Sequence, residues 1–195
     1  MSGIAMGILL TLSLTASPGT RAQSIVDLPG ADVRAHFTLL SGYLAVDLIY
    51  SLVALMVSRV YLYYSPLMFD WATGGIVIFL ISFALVSIYN VFIGAPVRSE
   101  FHAGHGFCYI LSRSLKSYGL WFDALFPVPV LIVFFGRAGY EPSFILVGMM
   151  LGYIGWYGLL VEAKTNKMPH QNLRGIAATC IMVFIDSVLI CMLLF

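Results

Sequence analysis

Residues 37–64 read FTLLSGYLAVDLIYSLVALMVSRVYLYY, and the fold class turns on them. Asp47 and Arg59 are the run's two charged side chains. A helix of that length is about 42 Å long, more than the roughly 30 Å of hydrocarbon in a bilayer. Four further apolar runs follow, at about 66–94, 120–136, 142–163 and 173–195. The chain of 195 residues is 61% apolar and 10% charged, with a mean hydropathy of +0.96. A soluble domain of this size needs far more charge to cover its surface. A β-barrel would show alternating segments of about ten residues, and the sequence has none. The expected fold is all-α: a polytopic integral membrane helical bundle of about five transmembrane helices plus a short apolar N-terminal helix.

Punctuation within these runs sets the boundaries. Ser65-Pro66 ends the first, because proline lacks a donor and restricts the residue before it. Pro127 and Pro129 lie inside the third, which is expected to be kinked or broken. Residues 1–36 form an N-terminal segment and linker, and 37–195 a single transmembrane bundle. The N-terminus, MSGIAMGILLTLSLTASPGTRAQ, holds an apolar run and then small residues. That resembles a signal-peptide core with a cleavage site, but no Lys or Arg precedes the core. It is short for a span, and the reading is an interfacial or half-inserted helix.

Cationic residues orient the bundle. Arg21 and Arg34 precede the first span; Arg98, Arg113 and Lys116 lie at 95–119; Lys164, Lys167 and Arg174 lie around the last loop. With five spans these regions share one side, and Arg59 and Arg137 take the other. The N-terminus is then expected on the cytoplasmic or matrix side of a multi-pass protein. The short loops and this bias suit the mitochondrial inner membrane or another energy-transducing membrane. His36, His102, His105 and His170 gather on the positive face with Glu100 and Glu162. Tyr61, Tyr63, Tyr64 and Trp71 form an aromatic belt at the other.

Residues 97–107, VRSEFHAGHGF, place His102 and His105 three positions apart. On one helix face such a pair can chelate zinc, with His36, His170 or a carboxylate completing the site. Gly104 and Gly106 argue against regular helix there, so a polar loop at the membrane surface is the plainer reading. Bis-histidine haem would want histidines inside the spans, where none lies. Neither a metal nor a cofactor is expected, and bound lipid is.

Charges inside the runs say more. An ionised side chain at the centre of a span costs about 2.5 to 3.5 kcal/mol on insertion scales, so it should face the bundle and have a partner. Asp47 sits between Tyr43 and Tyr50 on one helix face, and Asp186 lies near the middle of the last span. Arg59 is about 18 Å along the helix from Asp47, too far to pair with it. Asp47, Asp186, Arg59 and Glu100 are the candidates for acid–base or ion-relay chemistry. The structural alternative is interhelical hydrogen bonding to Tyr, Ser or Asn90. Asp70 and Asp123 lie near expected helix starts, where they would cap. Gly148, Gly152 and Gly155 put small residues along the fourth span, a pattern for close helix packing.

Cys108, Cys180 and Cys191 are scattered and form no disulfide or metal pattern. The formal charge of +1 offers nothing for nucleic acid to bind. No phosphate loop, zinc-protease, nucleophile-elbow or dinucleotide motif is present.

Two short stretches resemble known families. LSGYLAVDLIYSL is similar to the glycine-tyrosine-to-aspartate stretch of TLC-domain lipid-handling proteins, but the histidine-rich membrane motif that follows there is missing here. Arg98 with Ala103-Gly104-His105 resembles the arginine helix of the rotary ATPase proton-channel subunit. There the arginine-to-histidine spacing is two residues longer and includes an asparagine. Each likeness covers under a tenth of the chain and assigns no family.

The leading expectation is a structural or accessory subunit of a larger membrane complex, without an activity of its own. Its partners would be the lipid bilayer and other membrane-protein subunits, and no nucleic acid. The alternatives are a membrane-embedded lipid-handling enzyme and a proton or ion conductor using the intramembrane carboxylates.

Overall fold

A computed structural model describes residues 2–15, 20–27, 33–63, 66–93, 105–165 and 171–194. Nine helices run through these residues, with no strand among them: α1 (Gly3–Thr15), α2 (Thr20–Asp27), α3 (Val33–Tyr63), α4 (Pro66–Ile93), α5 (Phe107–Ser114), α6 (Tyr118–Leu125), α7 (Pro127–Arg137), α8 (Pro142–Thr165) and α9 (Gln171–Leu194). Five segments are long and apolar enough to cross a membrane: Arg34–Tyr61, Asp70–Phe92, Tyr118–Arg137, Pro142–Glu162 and Ile176–Leu194. α1 is apolar too, but its thirteen residues reach only about 20 Å. The chain is a multi-pass helical bundle of membrane type.

The third span is broken at Phe126 and preceded by the α5–α6 turn, and α3 serves backbone groups released at both. In hydrocarbon a carbonyl without a donor is costly, so irregular backbone survives only where the protein supplies one. Pro129 has no N–H for the Leu125 carbonyl four residues back. Tyr61 Oη of α3 donates to that carbonyl instead, at 3.2 Å. At the turn between α5 and α6, Tyr50 Oη lies 3.3 Å from the carbonyls of both Ser114 and Leu115. Trp121 Nε1 donates to Leu115 O at 2.8 Å, and its ring meets Tyr50 edge-on at 4.9 Å. Tyr61, expected in an aromatic belt, thus has a second task in the sheltering of the break.

α7 is the most enclosed helix. Its first seven residues, Pro127 to Val133, are all buried, as is Phe135. Proline is tolerated in a first turn, where the N–H would lack a helical partner anyway. The C-terminus closes with Gly139 at φ 92, a left-handed conformation that side chains with a Cβ resist. Gly139 N donates to Gly136 O at 3.1 Å and Tyr140 N to Phe135 O at 3.0 Å. The Tyr140 ring packs on Phe135 at 6.2 Å, completing a Schellman stop with its apolar contact. This tight turn sends the chain straight back into α8.

The N-terminal segment, expected as an interfacial or half-inserted helix, has a partner within the chain. α1 does not lie along the bundle surface; it packs along α8, and this is the most extensive helix pair in the fold. A Cβ on Gly7 would strike the Ile145 carbonyl, and one on Gly148 would strike that of Ile4. A Cβ on Gly152 would come within 2.8 Å of Thr11 Cβ. Thr11 Oγ1 donates to Met149 O at 3.1 Å. The glycine face read from the fourth span therefore has its partner in the same chain, and the match is reciprocal: Gly3, Gly7 and Thr11 recur at four-residue spacing opposite Gly148 and Gly152. Gly155 has nothing within 4 Å and takes no part.

These contacts rise together along both helices, so α1 and α8 run parallel. Gly3, whose Cβ would sit 3.0 Å from Phe144 Cβ, lies at the end of the bundle where α7 turns into α8. Val33 begins α3 at the opposite end. The expected topology put the whole N-terminal segment on one face because it left α1 outside the bundle. Packed on α8, α1 adds a partial crossing of its own.

Candidate functional site: a cavity closed by an intramembrane ion pair

α1 and α2 deliver partners to both carboxylates that the sequence placed inside spans. Arg21 Nη1, on α2, donates to Asp47 Oδ1 at 2.5 Å. Tyr157 Oη, on α8, donates to Asp47 Oδ2 at 2.7 Å. The Arg21 guanidinium also lies over the Tyr43 ring, 5.0 Å from its centroid, within range of a cation–π attraction. Tyr43 and Tyr157 pack at 5.9 Å, and Tyr157 stacks on Tyr153 at 6.3 Å. Burial would lower the Arg21 pKa, but Asp47 and Tyr157 outweigh it and hold the guanidinium above its ordinary range. Arg21 is therefore a fixed cation and Asp47 its counter-ion, both oxygens occupied. Arg21 Nη2 makes no hydrogen bond among the described residues.

The second carboxylate is served differently. Asp186 Oδ1, on α9, accepts a short hydrogen bond from Ser13 Oγ on α1. Asp186 Oδ2 is buried with no partner among the described residues. The sequence foresaw the partner types, tyrosine and serine, but not that Ser13 and Arg21 would come from the N-terminal segment. The hydrogen bonds to Asp47 and to Asp186 have no residue in common. Arg59 is exposed on α3 and joins neither.

Beside the Asp47 pair lies a cavity of about 310 Å³, bounded by α3 to α8 and the N-terminal helices. Its polar wall includes Arg21, Asp47, Ser51, Ser114, Asp123 and Tyr153, and its apolar wall includes Phe83, Leu120, Val128 and Met149. Asp47 and Tyr157 are buried, whereas Gly119, which also lines the space, is exposed. The cavity thus runs inward from the α5–α6 turn to the ion pair. That volume equals about ten waters at their liquid density, large enough for the polar part of a small molecule.

Asp123 corrects an expectation. It does not cap a helix, because α6 begins at Tyr118 behind Ser117, leaving Asp123 two residues from the end of α6. One and a half turns into the helix its side chain faces the cavity, within electrostatic reach of the Tyr153 hydroxyl. Among the described residues it has neither a hydrogen-bond nor an ion-pair partner. The period of the apolar pattern could not reveal this, since it does not show where α6 starts.

The histidines are placed as follows. His36 is buried in the first turn of α3. His105 stacks on Tyr109 at 4.3 Å, just before α5. His102, His170 and Glu100 lie outside the described residues. Among those described, no three His, Cys, Asp or Glu side chains come together to hold a metal ion. Cys108, Cys180 and Cys191 are free and exposed. Comparison of the chain with protein-family models, with curated proteins and with solved structures finds no match in any of the three.

Proposed function

We propose that the chain is a membrane-embedded binding protein of the lipid-handling kind, which takes the polar end of an amphipathic molecule into the cavity behind the α5–α6 turn. The observation that carries this reading is the cavity itself: a mainly apolar hollow with a few convergent polar groups, the usual form of a small-molecule site. Binding rather than bond-breaking is what these groups suit. Among the described residues no histidine or cysteine lines the cavity, and Asp47, its deepest carboxylate, is fully engaged.

The test is native mass spectrometry of the full chain released from its own membrane, comparing wild type with Ala124→Phe, which fills the cavity wall. Val86→Phe, on the exposed face of α4, is the control. Wild type and Val86→Phe should retain a bound amphiphile that Ala124→Phe loses. Retention by all three, or by none, would overturn the reading. Ala54→Phe fills the same space from α3 should Ala124→Phe fail to fold.

A second reading, the accessory subunit, has one observation behind it. Only 17% of the Asp70–Phe92 span is buried within the chain, leaving a broad apolar face for lipid or a second protein. Native sizing after gentle solubilisation separates these. A particle several times larger than the 21.4 kDa chain would favour the subunit, and a lone chain with its detergent would remove it.

A further inference from the structure

We propose that the occupant of this cavity carries an organic ammonium group and that Asp123 is its counter-ion. The inference rests on the reading of the cavity as a ligand site and names the chemistry that site selects.

Among the described residues, three charged side chains line the cavity: Arg21, Asp47 and Asp123. Arg21 and Asp47 pair with each other at 2.5 Å, which leaves Asp123 as the cavity's carboxyl without a partner among the described residues. A carboxylate at membrane depth is expected to have a partner, and among the described residues Asp123 has none. An anionic occupant is disfavoured because it would face Asp123.

The walls then distinguish among cations. A hard metal ion needs several oxygen ligands at short range, and among the described residues no third His, Cys, Asp or Glu joins Asp47 and Asp123. What the cavity offers instead is aromatic surface: Tyr50, Tyr153, Trp156 and Tyr157 all line it. Ring faces together with one carboxylate are the recognition chemistry of alkylated ammonium groups, which attract π-faces and ask for no directed ligands. The apolar side of the cavity, with Leu120, Val128 and Phe83, suits the hydrocarbon attached to such a head.

Choline and 3,3-dimethylbutanol, its uncharged carbon isostere, are the probes. Binding is measured to the full chain in nanodiscs made from a phospholipid without an ammonium headgroup, with empty discs subtracted. Choline should bind about tenfold tighter than the isostere, or more. Asp123→Asn should cut the preference to the few-fold share left to the aromatic rings, while leaving thermal unfolding within a degree or two. Equal binding of the two probes by wild type, or a preference undiminished in Asp123→Asn, overturns the assignment of Asp123 and leaves the cavity reading intact. Binding of neither probe overturns the ammonium inference, and the mass-spectrometric comparison with Ala124→Phe then decides separately whether the cavity holds any ligand. The wild-type comparison of probes decides the matter even if the variant fails to fold.

Discussion

Arg21→Met keeps the length of the side chain and deletes its cation. Asp47 would then stand in the bundle with only the Tyr157 hydroxyl, its own exposure being 2%. Breaking a buried ion pair by removing one member costs about 3–5 kcal/mol. An independent limit comes from protonation. Asp47 can escape by taking a proton, and for an ordinary carboxyl at pH 7 that costs about 4 kcal/mol. The two routes agree, so a loss of about 3–4 kcal/mol is expected in reversible unfolding of the full chain in mixed micelles. The proton route also fixes a sign. Folding of the variant takes up a proton that the unfolded chain does not hold at pH 7. Its stability deficit should therefore shrink as pH falls, by about 1.4 kcal/mol per unit until the unfolded carboxyl itself titrates near pH 4. Arg21→Met combined with Asp47→Leu removes both charges and leaves only the Tyr157 hydroxyl without an acceptor, at about 1–3 kcal/mol. The double variant should thus be the more stable of the two. A deficit below about 1 kcal/mol in Arg21→Met, independence from pH, or a double variant that loses the sum of both singles would refute the pairing.

Four further outcomes follow from named contacts. Gly148→Leu should lose about 1–3 kcal/mol or more by forcing α1 off α8, while Gly155→Leu, with open space around it, should unfold like wild type. Ser13→Ala leaves Asp186 without its hydroxyl donor and should cost about 1–3 kcal/mol, read in the same unfolding assay. Tyr61→Phe should cost about 1 kcal/mol through the Leu125 carbonyl. Pro129→Ala restores an N–H for that carbonyl, so the cost of Tyr61→Phe should largely vanish in its presence; an unchanged cost would show that the hydroxyl serves something else.

Much of the scaffold was legible because it follows from solvent. Long apolar runs must be helices in hydrocarbon, and Pro66, Pro127 and Pro129 stop or break them wherever they occur. The break at Phe126 and the start of α4 at Pro66 fall where those prolines put them. The close approach at Gly148 and Gly152 was legible for the same kind of reason, since two missing Cβ atoms at four-residue spacing have a steric consequence. What they approach was not. Helices apolar on all sides carry little periodic signal, so the sequence does not say which face meets which neighbour. Arg21 was hidden by its position: a cation just after an apolar run reads as a topological marker. Its place beside Asp47 depends on α1 running parallel to α8 and α2 folding in behind it. The usable clue was complementarity, Gly3, Gly7 and Thr11 against Gly148 and Gly152, together with two carboxylates needing partners. Asp123 is not at a helix start because α6 begins at Tyr118, two residues before the apolar run itself.

Everything proposed for the cavity depends on the N-terminal segment lying within the bundle, parallel to α8. Cysteine cross-linking in intact membranes tests this most directly. With Cys108, Cys180 and Cys191 replaced by alanine, cysteines are placed at Gly3 and Phe144, whose Cβ positions lie 3.0 Å apart, close to disulfide reach. Rapid disulfide formation between positions 3 and 144, with none between 3 and 162 at the far end of α8, is the expected result. A cross-link from 3 to 162, or none to either, would contradict the parallel packing and, with it, the ion pair that closes the cavity.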